Sequence, residues 1–316
     1  MKRHRLVLEG GDGAQLRISG DQLAELLAAL KEGARLALRY QVEGISNPPG
    51  PRPRWLEACT SQVITGLRAG SAVLEIEAPT LEEAAPEVFG ASGQISLLEP
   101  DEPLAPPAST ALDLFAAVLQ EIQQGDRPTL RADRSLLEGC LRFARVPSGA
   151  FTGISLGSVD AKGPTVTLHA SDIPLLEELV LVTPLPQIIR FTGTLDTISS
   201  TRPSVTLLSD DGDKIQARLP SSITTEDLRA LFGQRVVVAG VAEFRPSGRI
   251  QQIAISQIQP AHGADELFSE TPRAWGSMPV FTPAAQEPGS GVSTFFGTWP
   301  GDETDDELIT ALAAIR

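Results

Sequence analysis

Cysteine is scarce in this chain of 316 residues, which has only Cys59 and Cys140, and neither belongs to a motif. A secreted protein of this size more often carries several cysteines. No stretch reaches the roughly 18–20 uninterrupted apolar residues that a membrane span needs. The basic start Met1-Lys2-Arg3-His4-Arg5 is not followed by the apolar core of a signal peptide. We therefore expect a cytoplasmic protein.

The patterns that hold metals and cofactors are also missing. The three histidines, His4, His169 and His262, lie far apart in sequence, and neither cysteine has a partner at ligand spacing. The sequence contains no Walker loop and no dinucleotide fingerprint. We therefore expect no metal, no cofactor and no catalytic residue, which favours a binding protein over an enzyme.

One run does match a catalytic pattern. Gly153-Ile154-Ser155-Leu156-Gly157 has the G-x-S-x-G spacing of a hydrolase nucleophile elbow, which works only where a strand turns sharply into a helix. Here the run continues into the turn signal Gly163-Pro164 and predicts a hairpin. The acidic run Asp210-Asp211-Gly212-Asp213 lacks the spacing and the closing glutamate of a calcium loop, and it predicts a solvent-exposed hairpin tip.

Negative charge is unevenly distributed along the chain. The net charge of −14 and the pI near 4.7 argue against a whole chain held on nucleic acid by phosphate attraction. Residues 261–316 contain nine acidic and two basic residues, whereas residues 188–259 contain seven acidic and eight basic residues. Half of the excess negative charge therefore lies at the C-terminal end.

Residues 1–146 are predicted to form an α+β domain of unknown role. Hairpins are expected around the turn Gly10-Gly11-Asp12-Gly13 and over residues 61–78, where apolar residues alternate. Between them, Ser19-Gly20-Asp21-Gln22 has the form of a capping box and precedes leucines at helical spacing. Two further helices are expected at residues 112–122 and 136–141.

Residues 147–260 are predicted to be rich in β-structure. A hairpin is expected to join residues 151–157 to residues 164–169, and a short helical or irregular apolar stretch is expected around residues 175–181. Residues 188–259 have the order strand, strand, strand, helix, strand, strand, which is that of an OB-like small β-barrel. The predicted apolar face of the barrel helix consists of Leu228, Leu231 and Phe232.

An OB-type barrel binds single-stranded nucleic acid through a basic groove and stacking aromatic side chains. This segment has a net charge of only +1 and three phenylalanines. The candidate nucleic-acid contacts are the arginines expected at its loop tips, Arg202, Arg245 and Arg249. The alternative, which the composition favours, is a structural or protein-contacting barrel.

The end of the chain differs from the rest in its composition and in its apolar periodicity. Five prolines and four glycines fall in residues 260–294, so residues 261–294 are predicted to be a flexible linker. After it, Thr304-Asp305-Asp306-Glu307 has the form of a capping box, and Leu308, Ile309, Leu312 and Ile315 form an apolar stripe. A helix of about twelve residues is marginal alone in water, so this apolar face needs a surface, either a partner's or the protein's own.

The run from Phe296 to Leu308, with its core Trp299-Pro300-Gly301-Asp302-Glu303, resembles the C-terminal tail of bacterial antitoxins encoded beside PIN-domain ribonuclease toxins. The resemblance implies a tail that crosses the toxin's active-site groove and blocks a Mg²⁺-dependent ribonuclease. It covers about the last 22 residues, and the compact DNA-binding dimerisation domain of typical members is not recognisable here. The toxin-binding residues that it implies are Phe295, Phe296, Trp299, Pro300, Gly301, Asp302, Glu303, Asp306, Leu308, Leu312 and Arg316.

The sequence therefore predicts an N-terminal α+β domain, an OB-like barrel, a flexible linker and a C-terminal helical peptide at residues 295–316. The favoured function is neutralisation of a PIN-domain ribonuclease toxin by that peptide. The alternative is an OB-type nucleic-acid-binding adaptor whose acidic tail recruits a partner protein.

Overall fold

The computed structural model describes residues 1–10, 18–48, 50–68, 72–90, 105–125, 130–146, 151–159, 163–199, 204–220 and 222–274. The chain divides into a compact unit, Met1–Ser277, and a second unit, Met278–Arg316. The predicted tail, residues 275–294 of the predicted linker, and Arg202 lie outside the described residues. The predicted class, α+β with a small closed β-barrel, is confirmed in the first unit.

The N-terminal lobe is built on an antiparallel sheet with the strand order β2-β3-β1-β4-β5. Helices α1, α5 and α6 pack together beside it, and α5 also contacts β4 and β5. The strands are β1 (Lys2–Glu9), β2 (Val63–Arg68), β3 (Ala72–Ala78), β4 (Gly153–Ser158) and β5 (Thr165–His169). The helices are α1 (Gly20–Glu43), α2 (Arg54–Cys59), α3 (Leu81–Ala84), α4 (Pro86–Phe89), α5 (Ala111–Gln124), α6 (Arg134–Arg145) and α7 (Ile173–Val182).

Strand β1 lies in the middle of the sheet, with β3 on one edge and β4 on the other. Residues 11–17, which include most of the turn predicted after Gly10, lie outside the described residues. The hairpin of β4 and β5 forms as predicted, but it completes the N-terminal sheet instead of belonging to the barrel region. Apolar alternation predicts that a segment is a strand, but it does not identify a partner some 150 residues away.

Helix α1 begins where its capping box predicts. The Ser19 hydroxyl accepts a hydrogen bond from the backbone N–H of Gln22 at 3.2 Å, and the Gln22 side chain accepts one from the Ser19 N–H in return. The helix ends at Gly44, whose φ of +75° is left-handed. Within the helix, a Cβ added to Gly33 would lie 2.3 Å from the Phe115 ring, so glycine permits the close approach of α1 and α5.

The second part of the compact unit is a closed five-stranded barrel with the order β10-β8-β7-β6-β9. Its elements are β6 (Gln187–Ile198), β7 (Ser204–Leu208), β8 (Lys214–Arg218), α8 (Thr225–Arg229), β9 (Arg235–Phe244) and β10 (Ile250–Pro260). Strands β8 and β10 pair in parallel, whereas the other neighbours are antiparallel. The predicted OB-like order is therefore confirmed, with Phe191, Leu195 and Phe244 fully buried inside.

Two local predictions around the barrel were wrong. Helix α8 ends at Arg229, so Leu228 is buried but Phe232 is 57% exposed instead of joining an apolar helix face. The flexible linker predicted for residues 261–294 does not begin at residue 261, because the 3-10 helix Gly263–Phe268 packs on β6. The Thr192 hydroxyl donates to the Asp265 carbonyl oxygen at 2.8 Å, and Ala274 is buried in the barrel core. Absence of periodicity does not exclude packing on a neighbouring strand.

Candidate binding site at the junction of lobe and barrel

The last turn of α1 seats the N-terminal lobe on the outside of the barrel. Arg218 of β8 donates a hydrogen bond from Nη1 to Glu43 Oε2 at 2.7 Å, and Arg39 donates to the same oxygen at 3.2 Å. A Cβ on Gly44 would lie 3.0 Å from Oε1 of the buried Gln252 side chain on β10. The left-handed cap of α1 thus lets the helix end approach the barrel closely.

Two carboxyl groups lie on the lobe side and the barrel side of this junction. Asp133 caps α6 and is fully engaged, since it accepts hydrogen bonds from the N–H and hydroxyl of Ser46 at 2.6 Å and from the Leu136 N–H at 2.9 Å. Burial raises the pKa of Asp133, and those hydrogen bonds oppose the rise. Burial, together with the negative charge of Asp133, raises the pKa of Glu243 on β9 to about 7.

Two arginines lie opposite each other along the backbone of the turn between β9 and β10. The Arg245 N–H donates to the Arg249 carbonyl oxygen at 2.9 Å, and the Gly248 N–H donates to the Arg245 carbonyl oxygen at 2.8 Å. Gly248 has a φ of +75°, as a three-residue hairpin loop requires. The predicted turn at Pro246-Ser247-Gly248 is therefore confirmed. We refer to Arg245 and Arg249 as the arginine pair.

The end of α1 also carries a buried tyrosine. Tyr40 in the last turn of α1 is 7% exposed, and its hydroxyl has no hydrogen-bond partner among the residues that the structure describes. Burial and the charge of Asp133 raise the pKa of this hydroxyl, whereas the positive charges of Arg245 and Arg131 oppose the rise. The hydroxyl therefore remains protonated at neutral pH and is available as a donor.

Of the sequence-predicted contacts, the structure places Arg245 and Arg249 together, whereas Arg202 and the tail residues lie outside the described residues. Sequence reasoning missed Tyr40, since a single tyrosine on a helix carries no motif. The two phenylalanines inside the barrel, Phe191 and Phe244, are 0% and 1% exposed, so neither offers a stacking face to a base.

The nucleophile-elbow spacing lies in a hairpin, as predicted. Ser155 is in the middle of β4, and its Oγ accepts a hydrogen bond from the Thr167 hydroxyl of β5 at 3.2 Å. The strand is followed by β5 and not by a helix. Ser155 therefore lacks the strand-to-helix turn that lifts a nucleophile above a sheet.

A buried Thr-His-Asp cluster was not foreseen. The Thr110 hydroxyl lies 3.0 Å from His4 Nε2, and His4 Nδ1 lies 3.9 Å from Asp113 Oδ1. Thr110 is fully buried and caps α5 by accepting from the Asp113 N–H at 3.1 Å, while Lys2 pairs with Asp113 at 3.0 Å. The cluster therefore fixes the start of α5 against β1, and its only sequence signal was the Thr-x-x-Asp capping spacing.

Within the described residues, no three side chains of the metal-ligating types group together, and none of the helices has the length and hydropathy of a membrane span. Comparison of the chain with protein-family models, with curated proteins and with solved structures found no match. Function is therefore inferred from the residues of this chain alone.

Proposed function

We propose that this chain is a non-catalytic binding protein that neutralises a PIN-domain ribonuclease toxin with its C-terminal tail. One observation carries the proposal, the run from Phe296 to Leu308, which joins aromatic anchors, a block of acids and a capping box within 13 positions. Such a segment orders on a partner surface and uses its amphipathic face for contact. Since a toxin of this class degrades cellular RNA, the proposal places the protein in the cytoplasm.

Each part of the tail has a chemical role in this proposal. Trp299 and the two preceding phenylalanines fill pockets beside the groove, as buried aromatic anchors do at interface centres. Asp302, Glu303 and Asp306 pair with basic residues that otherwise hold RNA phosphates. Leu308 and Leu312 belong to the helix that covers the groove, and Arg316 reaches the acidic residues that hold the toxin's metal.

The organisation of the chain supports a separable tail. The tail belongs to the second unit, Met278–Arg316. We therefore expect the first unit to keep its cores without residues 295–316.

Deletion of residues 295–316 tests the proposal. The shortened protein should unfold at nearly the same temperature as the full chain, yet it should no longer inhibit RNA cleavage by a PIN-domain ribonuclease encoded by the neighbouring gene. Trp299→Ala alone should cost about 2–4 kcal/mol of binding, which corresponds to roughly 30- to 1000-fold in affinity. Trp275→Ala, a tryptophan change outside the tail, is the matched control and should leave affinity unchanged.

Two results would contradict the proposal. One is a deletion that unfolds the first unit, because the tail would then be part of the protein's own core. The other is full inhibition of the ribonuclease by the shortened protein, because some other surface would then hold the toxin.

A further inference from the structure

Exposed apolar side chains are concentrated where helix α7 passes into the first barrel strand, β6. Leu181 is 79% exposed, Leu185 61% and Ile188 89%, and Val182 and Val241 are also exposed. Successive members along residues 181–188 are at most three positions apart, so their Cα atoms lie within about 11 Å of each other. Soluble proteins rarely leave contiguous apolar surface uncovered unless it is an interaction site. We refer to these five residues as the apolar patch.

Strand register fixes the barrel side of the apolar patch. Ile188 lies directly opposite Val241 of β9, and Val241 lies opposite Ala254 of β10. Ala242, the next residue after Val241, is fully buried in the barrel core, so Val241 projects from the outer surface. Because the barrel is closed, β6 has a neighbour on both sides. A partner must therefore cover side chains here, since it cannot add a strand.

Hydrogen bonds hold the backbone on the lobe side of the apolar patch. Thr183, between Val182 and Leu185, is fully buried, and its carbonyl oxygen accepts a hydrogen bond from Arg134 Nη1 at 2.9 Å. Its hydroxyl donates to the Leu179 carbonyl oxygen at 2.6 Å. The exposed side chains before and after Thr183 therefore project from an anchored backbone. A partner can cover them without the entropic cost of ordering a loop.

Charges of opposite sign lie at the two ends of the apolar patch. Residues 179–189 contain no charged residue, and the exposed Glu178 and Arg190 precede and follow this run. The Arg190 guanidinium lies 5.3 Å from the centre of the Phe268 ring, which holds it against the barrel. A two-fold axis through the patch reverses the direction of the run, so it brings the negative end of one copy to the positive end of the other. A second copy of the chain thus matches both the apolar centre and the charged ends.

We propose that the apolar patch is the interface of a homodimer, in which two copies of this chain pack patch against patch about a two-fold axis. Such an interface is self-complementary, because the same surface serves both copies. The five exposed fractions together equal about three whole aliphatic side chains per copy, so the dimer removes about six from water. The interface does not involve the tail and goes beyond toxin neutralisation. It gives each assembly two tails.

Sedimentation velocity of the full chain over about 0.1–100 µM tests the proposal, because dimerisation depends on concentration. The chain should change from monomer to dimer in this range. The dimer should persist in high salt, which screens the repulsion between two copies of net charge −14 but does not weaken apolar contacts. Leu185→Gln/Ile188→Gln should raise the dissociation constant at least about tenfold, because each change acts twice in a symmetric dimer. It should leave the melting temperature of the monomer unchanged, because both side chains are exposed there.

Charge reversal tests the two-fold arrangement separately. Arg190→Glu should raise the dissociation constant about threefold to tenfold, since it places two acids together at each end of the interface. The double variant Glu178→Arg/Arg190→Glu exchanges the two charges and should restore dimerisation. A double variant that dimerises as weakly as Arg190→Glu would contradict the two-fold pairing.

Phe232→Gln is the matched control, because it removes an exposed apolar side chain from the same barrel outside the apolar patch. Phe232 is 57% exposed and lies toward the other end of β6, since the N–H of the next residue, Gly233, donates to the Leu195 carbonyl oxygen at 2.9 Å. This variant should dimerise like the unchanged chain. A chain that stays monomeric over the whole range would overturn the proposal and leave the patch to a different partner protein. Equal weakening by Phe232→Gln and by Leu185→Gln/Ile188→Gln would also overturn it.

Discussion

Arg218 and Glu43 are 175 positions apart in sequence, and Arg218 Nη1 donates to Glu43 Oε2 at 2.7 Å. The pair joins the barrel strand β8 to the last turn of α1. Glu43 is well protected from solvent, and Arg39 of the same helix also donates to it. The ion pair therefore couples two structural parts of the compact unit.

We expect this ion pair to contribute measurably to the free energy of unfolding. In a double-mutant cycle with Arg218→Gln and Glu43→Gln, the coupling energy should be about 1 kcal/mol, because one partner is largely buried. Urea denaturation at low and high salt measures it. The exposed pair of Arg235 and Asp210 is the control, and a cycle there should give a smaller coupling that salt removes. Equal coupling energies for the two ion pairs would show that the position of Arg218 and Glu43 at the junction adds nothing to stability.

Gly33→Ala is expected to destabilise the protein although alanine is the better helix former. The gain in helix propensity is about 1 kcal/mol, but the new Cβ would lie 2.3 Å from the Phe115 ring and force α1 and α5 apart. The net loss should be about 1–3 kcal/mol. Gly20→Ala at the start of the same helix has no atom within 4 Å of the new Cβ and should not lower stability. Thermal unfolding of both variants checks the difference.

Stability should fall as the pH rises from about 4.5 to about 7, because the unfolded protein loses the Glu243 proton in this range while the folded protein keeps it. Because the pKa of Glu243 is higher in the folded than in the unfolded protein, folding favours the neutral carboxyl group. The stability that this group provides is lost as the pH rises from the unfolded pKa to the folded pKa. Glu243→Gln should therefore add about 1–2 kcal/mol at pH 8, after allowance for solvent screening of this half-buried group, and little near pH 4.5. Asp211→Asn at the exposed hairpin tip is the control. An effect of Glu243→Gln that is the same at both pH values would contradict this assignment.

Reversing the charges of Asp302 and Glu303 should slow association with the ribonuclease more than it speeds dissociation. Acidic residues steer a tail toward a basic groove, so we expect about a tenfold lower association rate and a weaker dependence on salt. Stopped-flow or surface-based kinetics measure both rates. Asp211→Lys/Asp213→Lys produces the same change in net charge on the barrel and should leave the association rate nearly unchanged. A similar slowing in that control would mean that net charge, and not the tail, directs association.

Residues close in sequence determined the local structure. The Ser19 and Gln22 capping box started α1 as predicted, and the Pro246-Ser247-Gly248 turn formed between β9 and β10. The order of strands and helix in residues 188–259 was also sufficient to predict the barrel. These features depend on interactions within a few positions, where spacing and side-chain chemistry leave few alternatives.

Only the tertiary structure decided which distant segments meet. Alternation along β1 did not reveal that β3 and β4 are its neighbours, and nothing near Glu43 indicated that it would accept a hydrogen bond from Arg218. Strand pairing and domain packing join positions more than a hundred residues apart, and many pairings satisfy the same apolar pattern. The sequence therefore determined the helices, the strands and the acidic, aromatic composition of the tail. The junction of the N-terminal lobe and the barrel arose from close packing at Gly44 and from the charge pairing of Glu43 with Arg218.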